Sequence, residues 1–267
     1  MIGNSNLKLP DSFYNVSEEV GKNKILVQGP GGNISYKIND SLYVKASGTN
    51  LKDAKIKNIF VKTNLVKIRL AIDSNNDDPL IGTWNTKDIF KPSIETTLHA
   101  LMPHKCVLHV HCINSLSWLV RSEFEDDLKY LLPDIKWATV PYIKPGYELT
   151  KVLKNIVKEN SPDAIFLANH GIVAGDDDPN KVLDLVKKIS KRLFVKPIEL
   201  ADPNIRELKE FIKSNKYKLP KYNYVHKIAL SDVATSIISK GTLFPDQIVF
   251  FKKKVKVLKD FKKLIKY

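Results

Sequence analysis

The sequence predicts an α/β fold, and three observations carry that expectation. Its 267 residues are 43% hydrophobic and 27% charged, enough apolar material for a sizeable core. Short β-rich runs alternate with segments of helical period, punctuated by glycine and proline, and no internal repeat or low-complexity tract interrupts them. The longest apolar stretches, such as Ile248 to Phe251 and Ile165 to Ala168, fall far short of the run of about 20 residues that a membrane-spanning helix needs. A soluble protein without a membrane partner is expected.

The elements follow in order along the chain. A helix is expected around Ser12 to Val20, then the glycine-rich stretch Gly29-Pro30-Gly31-Gly32-Asn33. Two short strands, near Ile34 to Ile38 and Leu42 to Lys45, turn at Asn39-Asp40. From Pro92 the period is helical: Ile94, Leu98 and Leu101 recur at i, i+4 and i+7, Ser93 caps the first turn, and Glu95 and His99 share a different face. The run Cys106-Val107-Leu108-His109-Val110-His111-Cys112 has a strand's period of two, so His109 and His111 project to the same side. A strand near Trp137 to Val140, a helix from Glu148 to Lys158 and a buried strand over Ala164 to Leu167 come next, and the last of these ends at Asn169-His170-Gly171. Asp178 caps a helix over Pro179 to Leu193, with proline in its first turn and Lys191 and Arg192 at its end. Residues 1–194 thus read as one catalytic domain. Residues 195–267 read as a C-terminal helical extension packed on that domain, with helices over Ile205 to Ile212 and Ser231 to Ser239 and a turn at Phe244-Pro245-Asp246-Gln247. In the final segment Val257, Leu258, Phe261, Leu264 and Ile265 stand at helical spacing among lysines.

The formal net charge of +14 invites a nucleic-acid reading, but its distribution argues against one. From Lys252 to Tyr267 there are eight lysines and one aspartate, a net of +7 and half the total. The remainder is thinly spread, mostly lysine, and lacks the aromatic interleaving of a single-strand binder or the cysteine and histidine spacing of a zinc finger. The lysine run reads as a solvated face, and no nucleic-acid partner is expected. Cys106 and Cys112 are too few for a disulfide scaffold and read as reduced thiols. Met1 to Pro10 shows no secretory pattern, so a cytoplasmic protein is expected.

Neutral imidazoles two residues apart on one strand face, as at His109 and His111, can reach one divalent ion, although such a pair also occurs in a purely structural role. His170, beside a glycine that lets the backbone turn, offers a third ligand and would leave a fourth position for water or substrate. Cys106 and Cys112 flank the pair with the opposite strand parity, and His99, His104 and His226 lack a comparable setting. Glu95 is either an acid/base beside a dication or a first-turn glutamate favoured by the helix dipole. Gly29 to Asn33 and Ala46-Ser47-Gly48-Thr49 offer backbone N–H groups and small polar side chains suited to a phosphate or carboxylate, with Ser93 as a third wall. Neither stretch matches a Walker or dinucleotide fingerprint.

Taken in order, Gly32-Asn33-Ile34-Ser35, Ser47-Gly48, Pro92-Ser93-Ile94-Glu95, His109-Val110-His111 and Asn169-His170-Gly171 resemble the class II aldolase and adducin family over roughly Gly29 to Phe250. Lys45-Ala46-Ser47-Gly48, the run Pro92 to His111, Pro141 to Gly146 and Lys240 to Asp246 are most similar to the aldolase part of bifunctional rhamnulose-1-phosphate aldolase and alcohol dehydrogenase proteins, with this chain expected to stop before any dehydrogenase domain. The resemblance implies a three-layer α/β/α fold around a largely antiparallel sheet, assembled as a homotetramer with active sites between subunits. It implies a lyase: a divalent-metal-dependent aldolase that cleaves a phosphorylated ketose or related sugar through a metal-stabilised enediolate. The ion would be Zn2+, or another such as Mn2+ or Co2+, held by His109, His111 and His170. Glu95 aligns with the acid/base, and Gly32, Asn33, Ser47, Gly48 and Ser93 align with the positions that hold the substrate phosphate. Ile94 stands where fuculose-type aldolases have a second serine, which leaves lysines such as Lys45 to complete phosphate binding. For the tyrosine acid that some relatives supply from a neighbouring subunit, Tyr142 and Tyr147 are the candidates here. Same-fold relatives also decarboxylate, dehydrate or epimerise, and adducin-like members are non-catalytic binding proteins. The three histidines with Glu95 favour an enzyme over a scaffold.

Overall fold

Apolar residues alternate along β1 (Asn33–Ile38) and β2 (Ser41–Lys45), which pair antiparallel in a hairpin. Its turn places Asn39 at φ 50°, a left-handed conformation that asparagine tolerates better than most side chains. In the computed structural model, residues 8–213 and 218–251 are described. The described residues up to Val195 form one compact unit, and those from Lys196 form a second.

The first unit is built on a seven-stranded sheet in the order β3-β2-β1-β4-β7-β6-β5, where β3 is Phe60–Asn64, β4 Cys106–Val110, β5 Trp137–Val140, β6 Ala164–Leu167 and β7 Gly171–Asp176. Every neighbouring pair is antiparallel except β5 and β6. All five residues of β4 are buried, as expected for a central strand covered on both faces. On one face α1 (Asp11–Lys22) and α7 (Pro179–Arg192) bring Phe13, Val16, Val182 and Val186 against Ile34, Leu108 and Val110. On the other, α2 (Leu65–Asp73), α3 (Thr96–Leu101) and α6 (Tyr147–Asn160) pack Ile68, Leu98 and Leu153 over Val44, Val107, Ile165 and Val173. This is the expected three-layer α/β/α architecture around a largely antiparallel sheet.

Several elements differ from the sequence expectation. The stretches β3, α2, α4 (Ile113–Leu119), α5 (Phe124–Leu131) and β7 form where no element is expected from the sequence. The helix after Pro92 begins only at Thr96, because the chain first turns at Ser93: its Oγ accepts from the Glu95 N–H at 3.3 Å and its carbonyl from the Thr96 N–H at 3.0 Å. Ile94, leading that turn, is 62% exposed and does not join Leu98 on the apolar face. The carbonyls that α3 leaves unpaired at its end are taken by two cations, the buried Lys37 and the exposed Arg69. Lys37 Nζ donates to Met102 O at 2.7 Å and His104 O at 2.6 Å, and Arg69 Nε to Ala100 O at 3.0 Å.

The second unit holds α8 (Ile205–Lys213), a 3-10 stretch over Asn223–Leu230, α9 (Asp232–Lys240) and α10 (Pro245–Phe251). Ser231 caps α9 by accepting from Ala234 N–H, yet α8 and α9 bury none of their residues. The expected turn at Phe244 to Gln247 is instead the start of α10, with proline in its first turn. Val257, Leu258, Phe261, Leu264, Ile265 and the lysine run around them lie outside the described residues. No helix among the described residues is long and apolar enough to cross a membrane.

Candidate active site

The strand period puts His109 and His111 on one side, and β7 places His170 beside them. His109 pairs with Val173 across β4 and β7, and the tight link from β6 to β7 turns at Asn169 (φ 55°) and Gly171, so His170 faces the same point. The three histidines are buried, and one nitrogen from each lies within 4.8 Å of the others. The ring centroids of His109 stand 4.9 Å from those of both partners. His109 Nδ1 donates to the carbonyl of Ile172 at 2.9 Å. A carbonyl only accepts, so the proton of a neutral His109 sits on Nδ1 and the lone pair is on Nε2, which faces His111 Nε2 at 3.0 Å.

Glu95 reaches the same point from the turn before α3, its Oε1 lying 3.3 Å from both His109 Nε2 and His170 Nε2. Burial pushes this carboxyl up, but the charges and hydrogen bonds that His109 and His170 supply when their Nε2 atoms carry protons outweigh it and hold Glu95 well below the usual carboxylate range. It is therefore ionised. One turn along α3, His99 is fully buried, and its Nδ1 shares a hydrogen bond with Ser35 Oγ at 2.8 Å. Burial lowers its pKa to about 3 against the opposing pull of Glu95, so it stays neutral. The Ser35–His99 pair and the Ile172 carbonyl were not anticipated. Spacing hints at the first, since His99 follows Glu95 by one helical turn, but a main-chain carbonyl leaves no mark in a sequence.

The three segments expected to hold an anion meet beside this cluster. Asn33 opens β1 directly opposite His109, and Gly32 before it has φ 69° and would, with a Cβ, press within 3.1 Å of His109 O. Ala46 and Pro92 form an antiparallel bridge, and Ser47 N–H donates to Lys91 O at 3.0 Å, so Ser47 and Gly48 stand beside Ser93. Ser47 and Gly48 are exposed, whereas Asn33 and Ser93 are buried. Both polar atoms of the Asn33 carboxamide are buried without a protein partner. Lys45, expected to complete the anion site, instead gives its ammonium to the carbonyls of Pro30 and Thr49.

Other candidates stand elsewhere. His104 faces Asp163 at 3.5 Å, and Cys112 Sγ donates to Ser190 Oγ at 3.3 Å. Cys106 lies in the core on the α1 face, where burial pushes its thiol pKa far up. Tyr142 is exposed, Tyr147 heads α6 with its hydroxyl buried, and His226 belongs to the second unit.

Residues 13–193 match the profile of the class II aldolase and adducin N-terminal domain. The chain belongs to the class II aldolase and adducin family. Among similar proteins, an uncharacterized oxidoreductase of Bacillus subtilis, YuxG, is 27% identical over 175 residues, which are 59% of this chain and 25% of that protein. The match thus takes in only about a quarter of the curated relative's length. The N-terminal class II aldolase domain of a conserved protein from Thermoplasma acidophilum is 28% identical with a TM-score of 0.60, covering 72% of this chain and 98% of that one. A sugar-phosphate aldolase from Thermotoga maritima shares the fold at 16% identity and a TM-score of 0.51, covering 77% of this chain and 95% of that one. Family, fold and a buried histidine triad able to take a metal ion agree with what the sequence resemblance implies.

Proposed function

We propose that this chain is a divalent-metal-dependent lyase that cleaves a carbon–carbon bond in a phosphorylated ketose or related sugar. One observation carries the reading: the Ile172 carbonyl fixes the His109 tautomer so that its lone pair, two further imidazoles and the Glu95 carboxylate converge on one buried point. Three nitrogen donors with a carboxylate beside them suit a cation, and the borderline character of imidazole suits Zn2+ as well as Mn2+ or Co2+. His109, His111 and His170 would hold it. When bound, such an ion supplies a Lewis acid that stabilises negative charge developing on a substrate carbonyl oxygen.

The rest falls to the chain's own groups. Glu95, ionised at neutral pH, carries a proton to or from the carbon next to the carbonyl. Asn33, with its unpartnered buried carboxamide, joins Gly32, Ser47, Gly48 and Ser93 in holding the phosphate. His99, one helical turn after Glu95, is held neutral by burial and hydrogen-bonds Ser35. In this reading residues 1–194 carry the chemistry and 195–267 are an extension. The protein assembles as a homotetramer with sites near subunit contacts; the exposed Ile25, Ile94 and Ile113, close in sequence to the site residues, support that arrangement.

The test is metal per chain by elemental mass spectrometry, beside the His111→Ala variant, followed by NMR of products from a panel of phosphorylated ketoses. About one ion per chain in the wild type, none in the variant, and two carbon fragments from one sugar are expected. A single product of unchanged carbon count would shift the reading to dehydration or epimerisation, and carbon dioxide release to decarboxylation. Failure to take up any metal would leave a non-catalytic adducin-like binding role.

A further inference from the structure

Lys45 is a lysine that the chemistry proposed above does not use. It is 3% exposed and ends β2, where the chain leaves the sheet. Strand parity sends its side chain out with Tyr43 toward the α1 face, while Asn33 and His109 project from the opposite face. From there its ammonium reaches two separate loops. It donates to Pro30 O at 3.0 Å, to Thr49 O at 2.9 Å and, at the limit of reach, to Ala46 O at 3.5 Å. Pro30 belongs to the loop that delivers Gly32 and Asn33, and Ala46 and Thr49 bracket Ser47 and Gly48.

We infer that Lys45 is a positioning residue that ties the loop over residues 29–33 to the loop over residues 46–49 from behind, setting the width of the anion subsite without touching its ligand. Several observations support this. The loops are thirteen residues apart or more in sequence, and each is linked separately to the catalytic elements: Asn33 pairs with His109, and Ser47 N–H bonds to Lys91 O. Lys45 hydrogen-bonds to both and so joins them to each other. An ammonium has three N–H donors and no acceptor, so carbonyls are its natural partners and hydrogen bonds to a charged donor are the stronger kind. A lysine buried this fully is otherwise costly, and burial does lower its pKa to about 8 against the opposing charge of Glu95. A cation just behind the loops also adds positive potential where a phosphate would sit.

The inference rests on the anion subsite proposed above, so its test has two arms. In the metal-loaded full chain, amide hydrogen exchange of both loops and the affinity for inorganic phosphate are measured for wild type, Lys45→Met and Lys45→Arg. Lys45→Met is expected to speed exchange in both loops by about tenfold or more, with α3 and β4 unchanged, to weaken phosphate binding by a similar factor, and to keep its metal. Lys45→Arg, which retains the charged donors, should restore most of both. Unchanged exchange in either loop overturns the tie, and loosened loops with undiminished phosphate affinity overturn its role in the subsite. Failure of both Lys45→Met and Lys45→Gln to fold would make Lys45 a general stability residue and also overturn it. If the wild type binds no phosphate, the sugar-phosphate reading falls, and the exchange arm alone decides whether Lys45 joins the loops.

Discussion

Asn33 holds a carboxamide whose oxygen and nitrogen are both buried and unpaired. Such a group destabilises a fold unless a ligand completes it. Asn33→Ala is therefore expected to leave the melting temperature unchanged or slightly higher while weakening phosphate binding by about tenfold or more, read by calorimetric titration beside thermal denaturation. A parallel loss of stability and affinity would mean that the carboxamide supports the loop instead. Glu95 makes the opposite case: it is charged, in contact with the imidazoles of His109 and His170, and expendable for folding if an ion satisfies those rings. Glu95→Gln should keep the metal and lose activity by about a hundredfold or more, measured as turnover on whichever sugar is cleaved. A metal-loaded and active glutamine variant would remove Glu95 from the proton transfer.

The elements that carry the site were legible where one periodicity ran without interruption. In β4 the period of two placed His109 and His111 on one side, and the structure keeps them there with their Nε2 atoms 3.0 Å apart. The α7 helix was marked by Asp178, whose side chain accepts from Asn180 N–H, and by the proline that follows. What was missed has physical causes. The strand β7 follows β6 through a three-residue link and opens with glycine, so the two read as one strand and a loop. In β3 one of the two buried positions is Thr63, which turns its hydroxyl to Leu42 O and so hides the apolar face in a polar residue. Ile94 misled the helical count because Ser93 bends the chain before the helix begins. The β6–β7 link also yields a prediction: a Cβ at Gly171 would lie 2.3 Å from Val110 O, in main chain that cannot give way, and 3.3 Å from the ring carbon Cδ2 of His111. Gly171→Ala should cost about 1–3 kcal/mol and separate His170 from His111, seen as a lowered melting temperature together with lost metal. Full metal content in a destabilised variant would show that the strands shift as a unit and carry the triad with them.

At the scale of the whole molecule, pH acts on stability through lysines that the fold takes out of water. Burial lowers Lys37 to about 7, with the Arg69 charge adding to the effect, while an unfolded lysine keeps its proton to about 10.4. Between those two values the unfolded chain binds more protons than the folded one, so stability contributed by this group rises with pH across that window. Below pH 7 both states carry the charge and the cost of burying it is present in full. Lys45 adds a smaller rise of the same sign, and Asp134, whose carboxyl Arg192 and Lys188 hold low, titrates only in acid; the buried Cys106 thiol, pushed up by burial, opposes the rise at the top of the window in the wild type and in a Lys37 variant alike. Lys37→Met removes the titration and also leaves the carbonyls of Met102 and His104 without their donor at the end of α3. Its melting temperature should fall below that of the wild type, and the gap should widen from about pH 6 to about pH 9.5, as the wild type is relieved of a buried charge that the variant never had. Melting curves that run parallel over that range would show that the two carbonyls keep Lys37 charged in the folded protein, and that its role at the end of α3 is the same at every pH.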